Sequence, residues 1–519
     1  MVLLGTRIFT LFDDAMISMR YARNLAQGHG LVWNIGSPPI EGYTNLLWVL
    51  YMAMVHLFPV PESKLALVVQ LTGLAGLGAN LLMVRKLAQR LSGGSRVAVW
   101  FAIVLTAFYL PLNNWALQGT EVSVLALITT ASLYLAVCGL ESGRTSIGLY
   151  GLLGIATLLR IDAALLLLAI VVFLFLADHR NRWKHAILGS ITLLFFVGGQ
   201  TLFRLLYYGQ LLPNTYYLKL TGFPAGARVA RGAKVFWDFV YRFNPVLFLL
   251  PFAGTLQRPI RTLSLLLWVF CCQCAYSIYI GGDAWEAWGG ANRFICIVMP
   301  IFFVLMGITV SDAGAYLRRR VLAAKRLPQA AGQAGMVLLL ALCLAQVNLI
   351  RGDPKLAGLL LLEKPMEAWG NVWAVTMGPV TQAVTTEDAT IAVVWAGSLP
   401  YFSHRPAIDL LGRNDARIAR GPVRISPDIR QRIGFYPGHM KWDYAYSIGE
   451  LRPDVVSQLW GLPDPLPYTT LESVPPEARP YIEDNYLLVD LDGYRLLVRK
   501  DSPRILWPKV NRYIVRAGE

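Results

Sequence analysis

The sequence predicts a polytopic α-helical membrane protein of about 10–11 spans, followed by a soluble C-terminal α/β domain on the outer face. Three observations predict it. Of 519 residues, 55% are hydrophobic and 15% charged, and mean hydropathy is +0.48, whereas a soluble domain carries about 25% charged residues. Apolar runs long enough to cross a bilayer recur from about Lys64 to Ile350. From Arg351 to Glu519 the chain turns rich in Pro, Asp, Glu and Arg, with short β-like runs and no spanning segment. The expected organisation is a transmembrane domain over 1–350, with a first outer loop at 13–62, and an extracytoplasmic domain over 351–519.

The spans are read at 64–84, 97–112, 121–140, 147–159, 162–177, 186–206, 241–256, 261–280, 293–311 and 333–350. Each is taken as a helix, because lipid offers backbone groups no other partners. The loops between them alternate in charge. One set holds Arg85, Lys86, Arg90 and Arg96; Arg144; Arg180, Arg182 and Lys184; Arg258 and Arg261; and Arg318, Arg319, Arg320, Lys325 and Arg326. The positive-inside rule puts this set in the cytoplasm of a multi-pass plasma (inner) membrane protein. The other set then faces outward: NNWALQGTE (113–121), the RID turn (160–162), YYGQLLPNTYYLK (207–219) and GGDAWEAWGGANRF (281–294). The soluble domain and the Asp13-Asp14 pair fall on the same side. Keeping the alternation requires that 46–59 not cross, so it is expected as a helix lying at the outer interface. An outward Asp13 also calls for a span before it, and residues 1–12 are too short to form one.

The net charge of +15 sits mostly in short inner loops, which argues for membrane lipid and against nucleic acid as the partner. Six cysteines (Cys138, Cys271, Cys272, Cys274, Cys296 and Cys343) all lie in apolar stretches, so they read as small buried residues and not as a disulfide or metal framework. No phosphate-binding P-loop, dinucleotide fingerprint or HExxH motif occurs, and ATP-driven transport and zinc hydrolysis lack their usual marks.

The polar motifs carry the chemistry. Asp13 and Asp14 open a helix that Gly28 and Gly30 close, with Arg20, Arg23, Asn24 and Gln27 on one face. One of the pair can serve as an N-cap; equally, two adjacent carboxylates repel, which raises one pKa and suits a general base. The segment 29–45 offers His29, Trp33, Asn34, Glu41, Tyr43 and Asn45, residue types that stack on sugars and bond their hydroxyls. Glu121 begins a span, where a carboxylate also suits the helix dipole. Arg160 and Asp162 sit at a membrane boundary and are functional candidates by location, although a local ion pair is the plainer reading. Asn214, Tyr217 and Lys219 lie in the 207–219 loop, and Asp283 and Arg293 flank a Trp- and Gly-rich loop. An outward Arg or Lys is suited to a lipid phosphate. In the soluble domain, 398–420 and 437–456 concentrate polar residues, among them His439, Lys441 and Asp443. TIAVVWAG (390–397) reads as a buried strand that delivers the first of these at its C-terminal end, where α/β sheets place ligands.

In order along the chain, DDAMISMRYARNLAQGHGLVWN, EGYTNLLW, YYGQLLPNTYY, GGD followed by NRF, and GHMKWDYAYSIGELRPDV resemble the corresponding strings of GT-C membrane glycosyltransferases. Within that group they resemble the arabinofuranosyltransferase branch, which includes the terminal β-(1→2)-arabinofuranosyltransferases of mycobacterial cell walls and the type IV pilin arabinosyltransferases. The resemblance runs from Asp13 to about Val456. It implies a GT-C fold, a polyprenyl-phosphate arabinofuranose donor, a glycan or pilin-type protein acceptor and chemistry on the outer face. It also implies Asp13 as the base that deprotonates the acceptor, with Asp14 beside it; Arg20 joins the binding residues named above. No cofactor is implied, although two adjacent Asp residues permit a divalent cation without requiring one. Three other readings stand beside this one: a GT-C transferase of another lipid-linked sugar, a lipid-linked sugar transporter, and a structural or signalling membrane protein whose outer domain binds glycan. The second usually brings internal repeats and a midplane site, and no repeat is found.

Overall fold

A computed structural model describes the chain except for residues 1, 4, 258–259, 287–291, 324–328, 351–352, 355–356, 358–361, 363–367, 426–433, 461–473 and 516–519. Arg258, Lys325, Arg326, Arg351 and the middle of the 281–294 loop, all used in the sequence reading, lie outside the described residues.

The protein is a mostly helical, multi-pass membrane protein. Among the described residues, five helices are long and apolar enough to cross a bilayer: Glu62–Leu91, Val122–Ser142, Arg182–Tyr208, Arg261–Ile280 and Met299–Arg320. Two further pairs pass the same test only when joined across a bend, Arg96–Ala107 with Leu110–Leu117 at 47° and Ala225–Phe243 with Pro245–Gln257 at 93°. Shorter apolar helices cover Leu46–Leu57, Ile147–Leu159, Ile161–Ala177 and Gly332–Val347. The ten stretches read as spans fall mostly on helices, but 241–256 crosses the 93° bend and 333–350 ends in the short strand Leu349–Ile350; 46–59 holds a separate helix of 12 residues, shorter than a straight span needs, as is the 13-residue Ile147–Leu159.

The chain forms two compact units, each discontinuous in sequence. The first gathers Met1–Val69, Thr201–Phe223 and Glu367–Glu519, the second Gln70–Gln200 and Pro224–Met366.

The first unit is built on a five-stranded sheet. Its order is Ala407–Asp409, Ile391–Val393, Val455–Val456, Tyr494–Arg499, Tyr486–Leu491, with the first three parallel and the last two joined as an antiparallel hairpin. The hairpin turns at Asp492-Gly493, both at positive φ, the geometry that Asp-Gly favours in tight hairpins. Ile391–Val393 is buried at every position, as a strand in the middle of a parallel set must be. Ala392, Leu410, Val456, Leu488 and Leu497 form its core with Tyr444 and Ile448. The helix Asp13–Ala26 belongs to this unit and is buried along most of its length.

The second unit packs apolar helices through small residues. A Cβ on Gly307 would lie 2.6 Å from the Ala98 carbonyl oxygen, and one on Gly254 would lie 2.1 Å from Thr309 Oγ1. Such close backbone approach is how helices associate where lipid removes the hydrophobic drive. Phe248, Phe270 and Phe302 fill the space between, with ring centroids 4.8–6.0 Å apart.

Candidate active site

Each unit holds a cluster that contains residues singled out in the sequence. In the first, Phe12 is the N-cap of the leading helix, and Asp13 and Asp14 are its first two residues, so neither is the cap that Asp types favour. Both lie half-buried. The Asp13 carboxylate accepts a 2.7 Å hydrogen bond from the Ser398 amide and two of 3.2 Å from the Gly397 amide. These amides follow the buried strand Ile391–Val393, at the C-terminal end where the sequence pattern looked for a ligand-binding loop. The approach is close: a Cβ on Gly397 would sit 1.9 Å from the Asp13 carbonyl oxygen.

Burial pushes the Asp13 carboxyl up from 3.8 to about 7, and the neighbouring Asp14 adds to the rise. The two amides and Arg413 pull the other way without cancelling it. Like-charge repulsion is thus real, but desolvation is the larger cause. Asp14 is held by Arg413, Nη1 to Oδ1 at 2.6 Å, and Arg413 Nε donates to the Gly42 carbonyl at 3.0 Å. His439 feels Asp14, Lys219 and Arg413 electrostatically, and burial depresses it to about 4, so it is neutral at physiological pH. It stacks on Trp460 with centroids 5.3 Å apart, while the Lys219 side chain runs along Gly438. Asp13, Asp14, Lys219 and His439, chosen from distant strings, therefore come together. Arg413, Gly397 and Ser398 complete the group. They lie in or beside the 398–420 string, but nothing in their spacing singled them out.

Most other candidates in this unit knit the fold. Arg20 donates to the carbonyls of Trp33, Pro400 and Arg405 and to Asn34. Trp33 Nε1 donates to the Ala396 carbonyl. Asn34 pairs with both backbone groups of Ala407, extending the sheet edge. Glu41 forms a buried two-point ion pair with Arg204, a partner the sequence did not suggest. Tyr43 and Tyr208 share a 2.9 Å hydroxyl contact, and Asn45 accepts from Ser18. Asn214 donates to the carbonyls of Gly412, Arg413 and Asp415. The fully buried Lys441 gives its protons to Tyr217, Ala419 and Thr221, Asp443 accepts from the Tyr446 amide, and Tyr217 lies under Arg420 at 4.2 Å. His29 is exposed.

The second unit carries a cluster around Arg160 and Arg293. Arg160 binds Asp162 through two bonds of 2.5 and 3.0 Å and lies 3.7 Å from Glu121. Arg293 binds Asp283 through two of 2.7 and 2.9 Å. The guanidinium of Arg293 covers the Trp115 ring and that of Arg160 covers Phe294. Glu286 and Arg231 extend the set at 3.6 Å, and Asn292 caps the short helix that starts with Arg293. Burial, helped by Asp283 and opposed by Arg231, raises the Glu286 carboxyl to about 8. It stays protonated at neutral pH.

Comparison with known proteins fits this architecture. The crystal structure of ArnT from Cupriavidus metallidurans bound to undecaprenyl phosphate matches with a TM-score of 0.54 at 15% identity, covering 96% of this chain and 95% of that one. Its apo form gives 0.52 at 15% identity, over 95% and 94%. The fold is of the GT-C type. A weaker likeness, TM-score 0.48 at 11% identity over 99% of this chain and 73% of the other, is to the Archaeoglobus fulgidus oligosaccharyltransferase tethered to an acceptor peptide. Residues 367–499 match a domain of unknown function (DUF8728). No curated protein sequence matches.

Proposed function

We propose that this chain transfers a sugar from a polyprenyl-phosphate donor to a glycan or protein acceptor on the outer face of the plasma membrane, with D-arabinofuranose as the sugar. The observation that carries the reading is Asp13: a carboxylate aimed by two backbone amides, with a proton affinity near neutrality, in a chain whose fold is shared with an ArnT that binds undecaprenyl phosphate. The arabinose assignment rests on the strings from Asp13 to Val456 alone.

The chemistry is one inverting displacement. Asp13 takes the proton of the acceptor hydroxyl, whose oxygen forms a bond to the anomeric carbon. The bond from that carbon to the phosphate oxygen breaks, and polyprenyl phosphate leaves with the electron pair. A base with a pKa near the working pH is the most effective, and general-base catalysis contributes roughly 10²–10⁴-fold. Lys219, in the same unit as Asp13, is the cation assigned to the developing phosphate charge, and Arg160 and Arg293 of the second unit are assigned to a lipid phosphate. For the two arginines this means exchanging a carboxylate for a phosphate. Among the described residues no three His, Cys, Asp or Glu converge as a metal site. The oxygens of the Asp pair bond the Gly397 and Ser398 amides and Arg413, a donor set that does not fit a bound cation, and no step is routed through one.

The test is transfer in proteoliposomes from radiolabelled polyprenyl-phosphate arabinofuranose to arabinan oligosaccharides and pilin peptides, by wild type and Asp13→Asn. Transfer by wild type with near-total loss in the folded variant supports both class and base. Equal activity of the variant removes Asp13 from the mechanism. Turnover only of a different polyprenyl sugar leaves the broader GT-C reading and removes arabinose.

A further inference from the structure

We infer that the helix Ala225–Phe243 lies flat in the membrane surface, with the stripe Val229, Ala233, Trp237 and Tyr241 seated in lipid. This stands on the second unit alone and does not depend on the sugar or the base.

Three observations carry it. The first is direction. The chain turns by 93° between this helix and the apolar helix Pro245–Gln257, at Asn244, which has positive φ, followed directly by a proline. If the apolar helix runs across the bilayer, its predecessor runs along it. Arg228, Arg231, Lys234, Asp238 and Arg242 within 19 residues preclude the reverse assignment, because a charge at the bilayer centre is costly.

The second is the stripe. Val229, Trp237 and Tyr241 are 39%, 62% and 69% exposed, and with Ala233 they recur every four residues along one side. The opposite side, which holds Arg228 and Arg231, is buried. Trp and Tyr are the residues that concentrate at headgroup depth, and Lys234 sits at the stripe's margin, suited to a phosphate.

The third is continuity. Beyond the bend the exposed apolar surface continues through Val246, Leu249 and Leu256, the lipid-facing side of the next helix. One medium covers both.

The helix is also tied to the arginine cluster. Arg228 Nε donates to the Tyr279 carbonyl at 3.0 Å, and Arg231 donates to the carbonyls of Gly281 and Asp283. Gly232 lies against the chain at Ile278, where a Cβ would come within 2.1 Å of the carbonyl oxygen. The in-plane helix thereby fixes the depth of the Asp283–Arg293 pair in the bilayer.

The test uses the full chain in nanodiscs made with lipids brominated either near the headgroup or deep in the acyl chain. Tryptophan emission is compared between wild type and Trp237→Phe, a change at an exposed site that leaves the fold intact. The difference signal, which reports Trp237, should be quenched most by shallow bromines, less by deep ones and little by aqueous acrylamide. Acrylamide quenching without lipid quenching overturns the inference in favour of open solvent. Protection from both quenchers overturns it in favour of a protein partner. Strongest quenching by deep bromines overturns the in-plane orientation.

Discussion

Replacing Asp13 by Asn should abolish transfer and at the same time stabilise the protein, by an amount that depends on pH in a defined direction. The carboxyl is raised from 3.8 to about 7 in the folded state, so the native chain holds this proton more tightly than the unfolded one. Below the unfolded value both states are protonated and the site costs nothing. As pH rises from 3.8 towards 7 the unfolded chain ionises first, and stability falls by up to about 1.4 kcal/mol per pH unit. Above 7 both are ionised and the full cost remains. A rise of about three units sets that cost at roughly 4 kcal/mol as an upper bound, since the site is only half-buried. Asn keeps an oxygen for the Ser398 amide and carries no charge, so it escapes the penalty. The Tm of the variant should therefore exceed that of wild type at pH 8, and the gap should shrink steadily as the pH is lowered towards about 5. Thermal unfolding in detergent across that range measures it. Parallel wild-type and variant curves would refute the claim that Asp13 holds a proton near neutrality, whatever happens to activity.

Three further outcomes follow from the same geometry. Arg413→Gln removes a charge that lowers Asp13 and leaves Asp14 to repel it, so the acidic limb of the pH–rate profile should move to higher pH; an unmoved limb would detach Arg413 from the base. Arg204→Met leaves Glu41 buried without its cation, which should cost about 3–5 kcal/mol and show as a large drop in Tm, with Glu41→Gln in the same chain restoring part of it. Gly397→Ala forces a Cβ against the Asp13 backbone and should cut kcat with little change in donor KM; a change in KM alone would contradict the assigned role.

The parts of the fold that were legible in the sequence are those written in hydropathy. The stretch 147–159 coincides with the helix Ile147–Leu159, and 261–280 with Arg261–Ile280, because a helix in a membrane domain must be predominantly apolar along its length. The helix Ala225–Phe243 escaped the same reading. Its five charges, spaced among aromatics, lower the average that a spanning window detects, although the 3.6-residue period was present. The bend at Phe108–Tyr109 was equally hidden, since 97–112 is apolar throughout. In the first cluster, the Asp pair and His439 stood out as residue types. What binds Asp13 is backbone, the amides of Gly397 and Ser398, 384 and 385 residues away, and backbone donors leave no mark in composition. The loop 29–45 taught the opposite lesson. Trp33, Asn34, Glu41 and Tyr43 suit a carbohydrate site, yet their hydrogen bonds go to the fold's own interior. A buried polar loop needs such side chains for the same reason that a sugar does.

The arginine cluster sharpens the question of where a lipid phosphate would sit. Arg293 is held in a two-point bond by Asp283, which is only 3% exposed. A phosphate matches that carboxylate in geometry and charge, so its arrival exchanges one anion for another at the same fork. Asp283→Asn separates the two roles. Without ligand the variant leaves a buried guanidinium poorly compensated, and stability should fall by about 3–5 kcal/mol. Polyprenyl phosphate should then bind the variant more tightly than wild type, because it no longer competes with Asp283, and it should raise the variant's Tm by more than it raises that of wild type. A plain alkyl phosphate at matched concentration distinguishes headgroup recognition from tail binding. Equal ligand-induced shifts in both proteins would mean that Arg293 is a structural ion pair and that the leaving phosphate is held elsewhere.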